Sequence, residues 1–278
     1  MTRAGHHSMM EKGASAPCAR NILRMVNGID VRSQAMMPDG DFTIAFWFKG
    51  YARGANNESY QFGWADGGWG GTRCVFRSSD YDVRYATGTS STDYNVSGYN
   101  AYATDKTWRH YALRRDGNTV RMTINGSDIF TKTTSRSHQG DVLPLSIGAL
   151  GADASGTTYR RGDKSIGFFC VFNRALSDAE ISQLASVREL KASGSVFDGL
   201  VCGYELSAEA QLADITGNYP LTMYNRSGTT PGYTDELPAV VSASGGGYKR
   251  QCIRRSYRRS WRPSARFWQA PRRWGVAA

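Results

Sequence analysis

The chain has 278 residues, of which 40% are hydrophobic and 12% aromatic, so it can bury a sizeable core. Residues 1–20 lack the apolar segment of a signal peptide, and no apolar run approaches the length of a membrane span. We therefore expect neither a secretion signal nor a transmembrane segment. The 31 glycines and 8 prolines suit many turns between short strands.

The net charge of +10 belongs to the end of the chain. The last acidic residue is Glu236, and residues 249–278 contain ten basic residues and no acidic ones. The remaining residues hold 24 basic and 24 acidic side chains, so they are neutral as a whole. Electrostatic attraction to an acidic partner is therefore expected only at this C-terminal arm, residues 249–278.

The cysteines lack the spacing of a disulfide framework or a zinc site. They are Cys18, Cys74, Cys170, Cys202 and Cys252, and no two of them form a CxxC pair. An odd number argues against complete pairing and predicts free, mostly buried thiols.

The first strong strand pattern is Phe42–Lys49, in which the apolar residues Phe42, Ile44, Phe46 and Phe48 fall on one face. A period of two predicts a strand with one face on a core.

Three further strands are predicted in succession: Trp108–Arg114, Thr119–Ile124 and Ser127–Phe130. Asp116-Gly117 and Asn125-Gly126 separate them, and these dipeptides supply the positive φ angles that tight hairpins need. The three strands are therefore predicted to form a meander.

Two more strands and a helix follow. Leu145–Gly148 is a short strand, and Gly167–Phe172 is nearly apolar throughout, which predicts a central strand. Ser177 and Glu180 form a capping box that starts a short helix. Its staple and buried stripe are predicted to consist of Leu176, Ile181, Leu184 and Val187.

Taken in order, Phe42–Gly50, Trp108–Thr133, Leu145–Gly148 and Gly167–Ala185 resemble the laminin-G-like jelly roll of the concanavalin A-like lectin/glucanase superfamily. The resemblance covers roughly residues 20–190 and is specific as an ordered set. It implies an all-β fold of two stacked antiparallel sheets. Relatives commonly hold calcium, but no dense Asp/Asn loop marks a site here, so no cofactor is predicted and calcium rests on the resemblance alone.

The family's opening strands are displaced in this chain. Gly199–Leu206, Ala213–Asn218 and Leu221–Tyr224 resemble that opening, yet they follow the helix. The fold is then circularly permuted, or a truncated second domain begins here, or the strand is donated to a neighbouring subunit; we favour the permuted fold, with strand exchange second. The predicted organisation is an N-terminal extension at 1–20, the sandwich at 21–235, a linker at 236–248 and the arm at 249–278.

Residue patterns for catalysis are missing from the sequence. There is no E-x-D-x-x-E arrangement of carboxylates along one strand, no HExxH, no Gly-x-Ser-x-Gly and no Walker loop. His110 alternates with Trp108 and Ala112 within a strand, so we interpret it as a packed histidine. The chain is predicted not to be an enzyme.

Two aromatic regions are candidate glycan or partner loops. Gln61–Gly71 carries two tryptophans among five glycines, and Asp80–Tyr102 carries five tyrosines among small polar residues. Rigid aromatic plates with small polar neighbours are typical of binding loops, but the same aromatics can pack the sandwich ends or a subunit interface. We favour packing over binding. The candidate residues are Trp64, Trp69, Tyr94, Tyr99 and Tyr102.

The arm interleaves arginines with aromatic residues, after a Ser/Gly-rich hinge at Ser242–Gly247. Arginine beside stacking rings can dock on an acidic protein surface or grip nucleic acid. The candidate docking residues are Arg254, Arg255, Tyr257, Arg258, Arg259, Trp261, Arg262, Arg266, Trp268, Arg272, Arg273 and Trp274.

Laminin-G-like domains with extensions at both ends and no secretion signal resemble bacteriophage virion components. That resemblance implies a non-enzymatic structural protein of a large assembly, such as a capsid decoration or tail protein, with neighbouring subunits as partners. The first alternative is a carbohydrate-binding, lectin-like adhesion module. The second is nucleic-acid contact through the arm.

Overall fold

The computed structural model describes residues 20–26, 29–53, 58–64, 72–76, 80–87, 90–133, 144–149, 162–187, 189–208, 210–225 and 232–237. Within them lie fifteen strands, one α-helix and short 3-10 turns at Asn100–Ala103 and Ser195–Phe197. The elements are β1 (Arg20–Met25), β2 (Ile29–Ser33), β3 (Phe42–Ala52), β4 (Ser59–Trp64), β5 (Thr72–Phe76), β6 (Asp80–Thr87), β7 (Ser90–Ser97), β8 (Arg109–Asp116), β9 (Thr119–Ile124), β10 (Ser127–Thr133), β11 (Leu145–Ile147), β12 (Asp163–Phe172), α1 (Asp178–Ser186), β13 (Leu200–Tyr204), β14 (Thr222–Asn225) and β15 (Gly232–Leu237).

The strands form two antiparallel sheets. Sheet A has the order β10-β9-β8-β3-β12-β1-β15, and β13 also pairs with β12. Sheet B has the order β14-β2-β11-β4-β5-β6-β7. Side chains from both sheets share one apolar core, so the prediction of an all-β sandwich is confirmed. Among the described residues, no helix is long and apolar enough to cross a membrane.

Strand β3 shows why alternating residues build this core. The four apolar residues predicted to share one face of β3 are all buried. The ring of Phe46 stacks on Tyr111 of the same sheet at 5.4 Å and meets the edge of Phe62, from sheet B, at 5.7 Å. Offset and edge-on ring pairs add to the energy of apolar burial. The first of these contacts therefore stabilises sheet A, and the second joins it to sheet B.

The predicted meander is confirmed as β8-β9-β10. Gly117 in the first turn has φ 54°, and Asn125 and Gly126 in the second have φ 50° and 79°. Glycine and asparagine tolerate this left-handed region, so they allow each tight reversal.

Helix α1 lies on the outer face of sheet A. The capping box is present: the Ser177 hydroxyl accepts a hydrogen bond from the Glu180 amide, and the Glu180 carboxylate accepts one from the Ser177 amide at 2.8 Å. Ile181 and Leu184 point into a second apolar cluster with Ala45 of β3. The helix therefore covers part of the sheet's outer surface and leaves a groove beside it.

The segment that resembles the family's opening strands pairs within this chain. Strand β13 joins β12 in sheet A, and β14 joins β2 at the edge of sheet B. The circularly permuted interpretation stays a prediction. The domain boundaries stay predictions, and residues 1–19 and 238–278 lie outside the described residues.

The described cysteines are buried thiols outside any disulfide, as predicted. They are Cys74, Cys170 and Cys202. Burial raises the pKa of the Cys202 thiol to about 12, so it stays protonated at neutral pH.

Candidate functional site

Trp64 lies in the core rather than in a binding loop. It ends strand β4, is 0% exposed, and donates a hydrogen bond from Nε1 to the Ala35 carbonyl at 2.9 Å. Its ring meets the edge of Phe62 at 5.7 Å. A ring buried on both sides offers no face to a sugar, so the packing alternative applies to Trp64.

Tyr99 and Tyr102 lie at the 3-10 turn Asn100–Ala103 and pack partly against the core. Their rings meet edge to face at 5.5 Å. The guanidinium of Arg109 lies 3.5 Å from the centre of the Tyr102 ring and binds both carboxylate oxygens of Asp105. Tyr102 therefore already has a cation on its ring, and the structure supports packing at this end of the sandwich.

Of the other candidate residues, the structure describes the strand position of Tyr94. Tyr94 belongs to strand β7, where it pairs with Val83 of β6. Trp69 and the whole basic arm lie outside the described residues.

A groove of about 330 Å³ opens between the outer face of sheet A and helix α1. Strand β3 and strand β8 supply its floor, the β9–β10 turn supplies one end, and the helix supplies a wall. Its lining residues are Trp47, His110, Asn125, Gly126, Ile181, Ser182, Ala185 and Ser186. We call it the α1 groove.

Trp47 and His110 form the floor. They are opposite one another on β3 and β8, and their rings meet at 5.4 Å with an angle of 60°. Both point outward because Phe46 and Phe48, on either side of Trp47, point into the core. Trp47 is partly exposed, which makes its ring an accessible apolar surface in the groove.

Asn125 anchors the end of the groove. Its side-chain Oδ1 accepts a hydrogen bond from the backbone amide of His110 at 2.9 Å. Its backbone amide donates to the backbone carbonyl of His110 at 2.8 Å. Because the side-chain oxygen of Asn125 is the acceptor for the His110 amide, the Nδ2 group of Asn125 can donate to a different acceptor. Both Asn125 and His110 line the groove.

The described lining of the α1 groove is uncharged. None of the eight residues named above is Asp, Glu, Lys or Arg. Burial lowers the pKa of His110 from 6.5 to about 4, so the imidazole is neutral at pH 7. A neutral imidazole presents one donor and one acceptor nitrogen, which suits a ligand hydroxyl that both donates and accepts.

The neutral state of His110 predicts a pH-dependent stability. In the unfolded chain the imidazole takes a proton at higher pH than in the folded chain. The contribution of the neutral imidazole to the free energy of unfolding is therefore fully present above pH 6.5 and is lost as the pH falls towards about 4. Over this pH range we expect the free energy of unfolding to fall by about 3 kcal/mol more in the wild type than in His110→Gln. Urea unfolding of both proteins at several pH values measures the difference, and parallel profiles would contradict it.

A second groove, of about 360 Å³, lies on the same face of sheet A and is charged. Its lining includes Arg114 and Arg121, which both form ion pairs with Asp178 at the start of α1, at 2.9 and 3.1 Å. Arg121 also pairs with Asp128. These ion pairs join the start of α1 to strands β8 and β9, so we interpret this groove as structural.

Metal ligands are not clustered in the part of the chain that the structure describes. No group of three or more His, Cys, Asp or Glu side chains there could hold an ion.

The sequence interpretation missed the α1 groove, although it held one signal. In Phe42–Lys49 the residues between the core phenylalanines face outward, and one of them is the large aromatic Trp47. An aromatic ring on the solvent face of a strand is the feature that marks this site. Helix α1, the other wall, is distant in sequence.

The stacked antiparallel sheets with a short helix on one outer face define a jelly-roll sandwich. The chain belongs to the concanavalin A-like lectin/glucanase superfamily, whose laminin G model matches residues 26–182. A comparison with curated proteins gave no significant match.

One solved structure has a similar fold, and two others match this chain less well. A putative carbohydrate binding protein from Bacteroides ovatus superposes with a TM-score of 0.57 at 15% identity, over 81% of this chain and 62% of that chain. A heptameric SAP-like pentraxin from Limulus polyphemus gives 0.48 at 14% identity, over 76% and 95%. The binding domain of Paraclostridial Mosquitocidal Protein 1 gives 0.37 at 20% identity, over 52% and 36%. The chain spans less than two thirds of the first and third of these. At 15% identity, the likeness to the Bacteroides ovatus protein shows the fold alone.

Proposed function

We propose that this protein is a non-enzymatic, lectin-like binding module that holds an uncharged sugar unit in the α1 groove. One observation carries the proposal: a partly exposed tryptophan ring lies in a groove whose described lining residues are apolar or neutral and polar. The Bacteroides ovatus structure, described as a putative carbohydrate binding protein, has the same fold and supports this class of ligand.

The chemistry of the lining matches that of a sugar. The C–H groups of one sugar face are weakly positive and pack on the electron-rich face of an aromatic ring, here Trp47. The hydroxyl groups need both donors and acceptors, which His110, the Nδ2 group of Asn125 and the Ser182 hydroxyl supply. The Ser186 hydroxyl donates to the Gln183 carbonyl at 2.7 Å and can still accept a hydrogen bond. A few such polar groups in an apolar cleft fix the orientation of a small ligand.

The same lining favours binding over hydrolysis. Glycoside hydrolysis commonly needs two carboxyl groups on either side of the scissile bond, about 5.5 Å or more apart. None of the residues that line the α1 groove is acidic. A sugar held there would meet no general acid or nucleophile of that kind, so we propose a module that binds without cleaving.

The test is glycan binding by Trp47→Ala. We expect a glycan array to identify uncharged ligands, and the variant to lose at least about tenfold in affinity for them because an aromatic anchor dominates a small site. Isothermal titration calorimetry measures the loss, and circular dichroism confirms that the variant is folded.

The matched control is Tyr224→Ala. Tyr224 is 40% exposed and lies on β14 of sheet B, away from the groove, with the guanidinium of Arg32 4.1 Å from its ring centre. Its loss should leave glycan affinity unchanged. No glycan binding by the wild type, or equal binding by Trp47→Ala, would overturn the proposal.

The structural role in a virion stays a prediction. None of the three solved structures described above is named as a virion component, and the arm residues that would dock on a neighbour lie outside the described residues. Nucleic-acid contact through the arm is untested for the same reason. The comparisons favour the lectin-like alternative over both.

A further inference from the structure

The α1 groove has an apolar side and an amide at one end. Trp47 of the floor packs against the apolar cluster that contains Ile181 of the helix. Ala185 also lines the groove and follows Ile181 by four residues, so the two share one face of α1. These three side chains supply the carbon surface of the groove, and Asn125 lies at its end, in the β9–β10 turn.

The amide of Asn125 is held in one orientation. The residue has φ 50°, its backbone amide donates to the His110 carbonyl, and its Oδ1 accepts from the His110 amide at 2.9 Å. Because the oxygen is directed to the backbone of β8, Nδ2 is the end of the side chain that can donate to a ligand. Gly126, the next residue, lines the groove without a side chain. An oriented, neutral N–H donor therefore lies beside the apolar side.

The charge and size of the groove restrict the substituent that it can accept. None of its eight described lining residues is acidic or carries a Lys or Arg charge, and the lowered pKa of His110 keeps that imidazole neutral at pH 7. An amine or acid that left water here would gain no opposite charge among these residues. The volume of about 330 Å³ is at the lower end for small-molecule sites, so one sugar unit suits it. The lining therefore favours an uncharged substituent that offers both carbon and an acceptor.

We infer that the α1 groove recognises the acetamido group of an N-acetylated amino sugar. This inference rests on the proposed function and names the class of sugar. An acetamido group joins a methyl group to an amide carbonyl. The methyl group packs on Trp47, Ile181 and Ala185, where apolar burial is favourable, and the carbonyl accepts a hydrogen bond from Nδ2 of Asn125. A hydroxyl at the same ring position is too short to make both contacts.

The test uses the methyl glycosides of N-acetylglucosamine and N-acetylgalactosamine, each compared with the glycoside of glucose or galactose. Within each pair only the acetamido group changes, to a hydroxyl. We expect the wild type to bind at least one N-acetyl form about tenfold more tightly than its parent sugar, since one methyl group and one hydrogen bond supply this much. The free amines, glucosamine and galactosamine, should bind no more tightly than the parent sugars. Ligand-observed NMR titration measures these affinities.

Asn125→Asp isolates the hydrogen bond. Aspartate keeps the size of the side chain, tolerates the positive φ and keeps an oxygen for the His110 amide, but it replaces the Nδ2 donor by a second oxygen. We expect the N-acetyl preference to fall to about fourfold or less, which is the part that the methyl group supplies. The matched control, Asn95→Asp, adds the same charge at an exposed position on β7 of sheet B and should keep the full preference. Circular dichroism checks that both variants are folded.

The outcomes separate this inference from the proposed function. Equal wild-type affinity for the N-acetyl and parent forms, or an N-acetyl preference that Asn125→Asp leaves unchanged, overturns the inference and leaves the proposed function intact. Array binding confined to glycans without an N-acetylated sugar does the same. The absence of any glycan binding by the wild type, or binding that Trp47→Ala does not weaken, overturns both.

Discussion

Trp64→Ala is expected to lower the free energy of unfolding by about 4 kcal/mol, because it removes the largest fully buried side chain among the described residues. The Trp64 ring is 0% exposed and meets Phe62 edge to face at 5.7 Å. Alanine leaves a cavity between the sheets that close packing cannot refill, and it leaves the Ala35 carbonyl without the indole donor. Urea denaturation of wild type and variant measures the effect.

The control for this prediction is Trp64→Phe. Phenylalanine restores most of the lost volume but not the hydrogen bond to Ala35, so we expect a smaller loss of about 1–2 kcal/mol. A Trp64→Ala protein within 1 kcal/mol of wild type would contradict the assignment of Trp64 to the core. Unfolding by itself would abolish glycan binding in a Trp64 variant. A binding defect in such a variant therefore does not show that Trp64 contacts the glycan.

Asp214→Ala is expected to destabilise the protein by about 3 kcal/mol. Asp214 is 8% exposed, and its carboxylate accepts hydrogen bonds from the amides of Gly203, Thr216, Asn218 and Tyr219, at 2.9 to 3.2 Å, and from the Thr216 hydroxyl at 2.5 Å. Alanine would leave these donors without the acceptor that now joins strand β13 to the loop before β14.

Two further variants serve as references for the stability loss expected of Asp214→Ala. Asp214→Asn keeps one oxygen acceptor and should lose about half as much free energy of unfolding. Asp198→Ala removes an exposed carboxylate from a neighbouring turn and should change stability by no more than about 0.5 kcal/mol. If Asp214→Ala and Asp198→Ala unfold at the same urea concentration, the loop is not held by Asp214.

The predicted elements that were confirmed depend on local signals. The β8-β9-β10 meander follows from alternation and from two dipeptides that accept positive φ, and α1 follows from its capping box. In each, the residues that specify the structure are a few positions apart, so neighbouring side chains and backbone groups suffice. The family resemblance added the prediction that two antiparallel sheets stack on each other.

The binding-residue predictions were weaker because burial is decided by distant parts of the chain. Trp64 follows Gly63 and precedes a glycine-rich stretch, which in sequence resembles a loop tip. In the structure it is the last residue of β4, and Ala35, from a different segment, accepts its hydrogen bond. Composition cannot distinguish an aromatic in a binding loop from one that closes the core.

The sequence by itself determined the sandwich class, the meander, the capped helix and the concentration of net charge in residues 249–278. Only the tertiary structure decided that Trp64 is core and that Trp47 and His110 form the floor of a groove. The physical reason is that the groove exists where helix α1 leaves part of sheet A uncovered. Its walls come from β3, β8, the Asn125-Gly126 turn and α1, which only the strand pairing and the helix packing bring together.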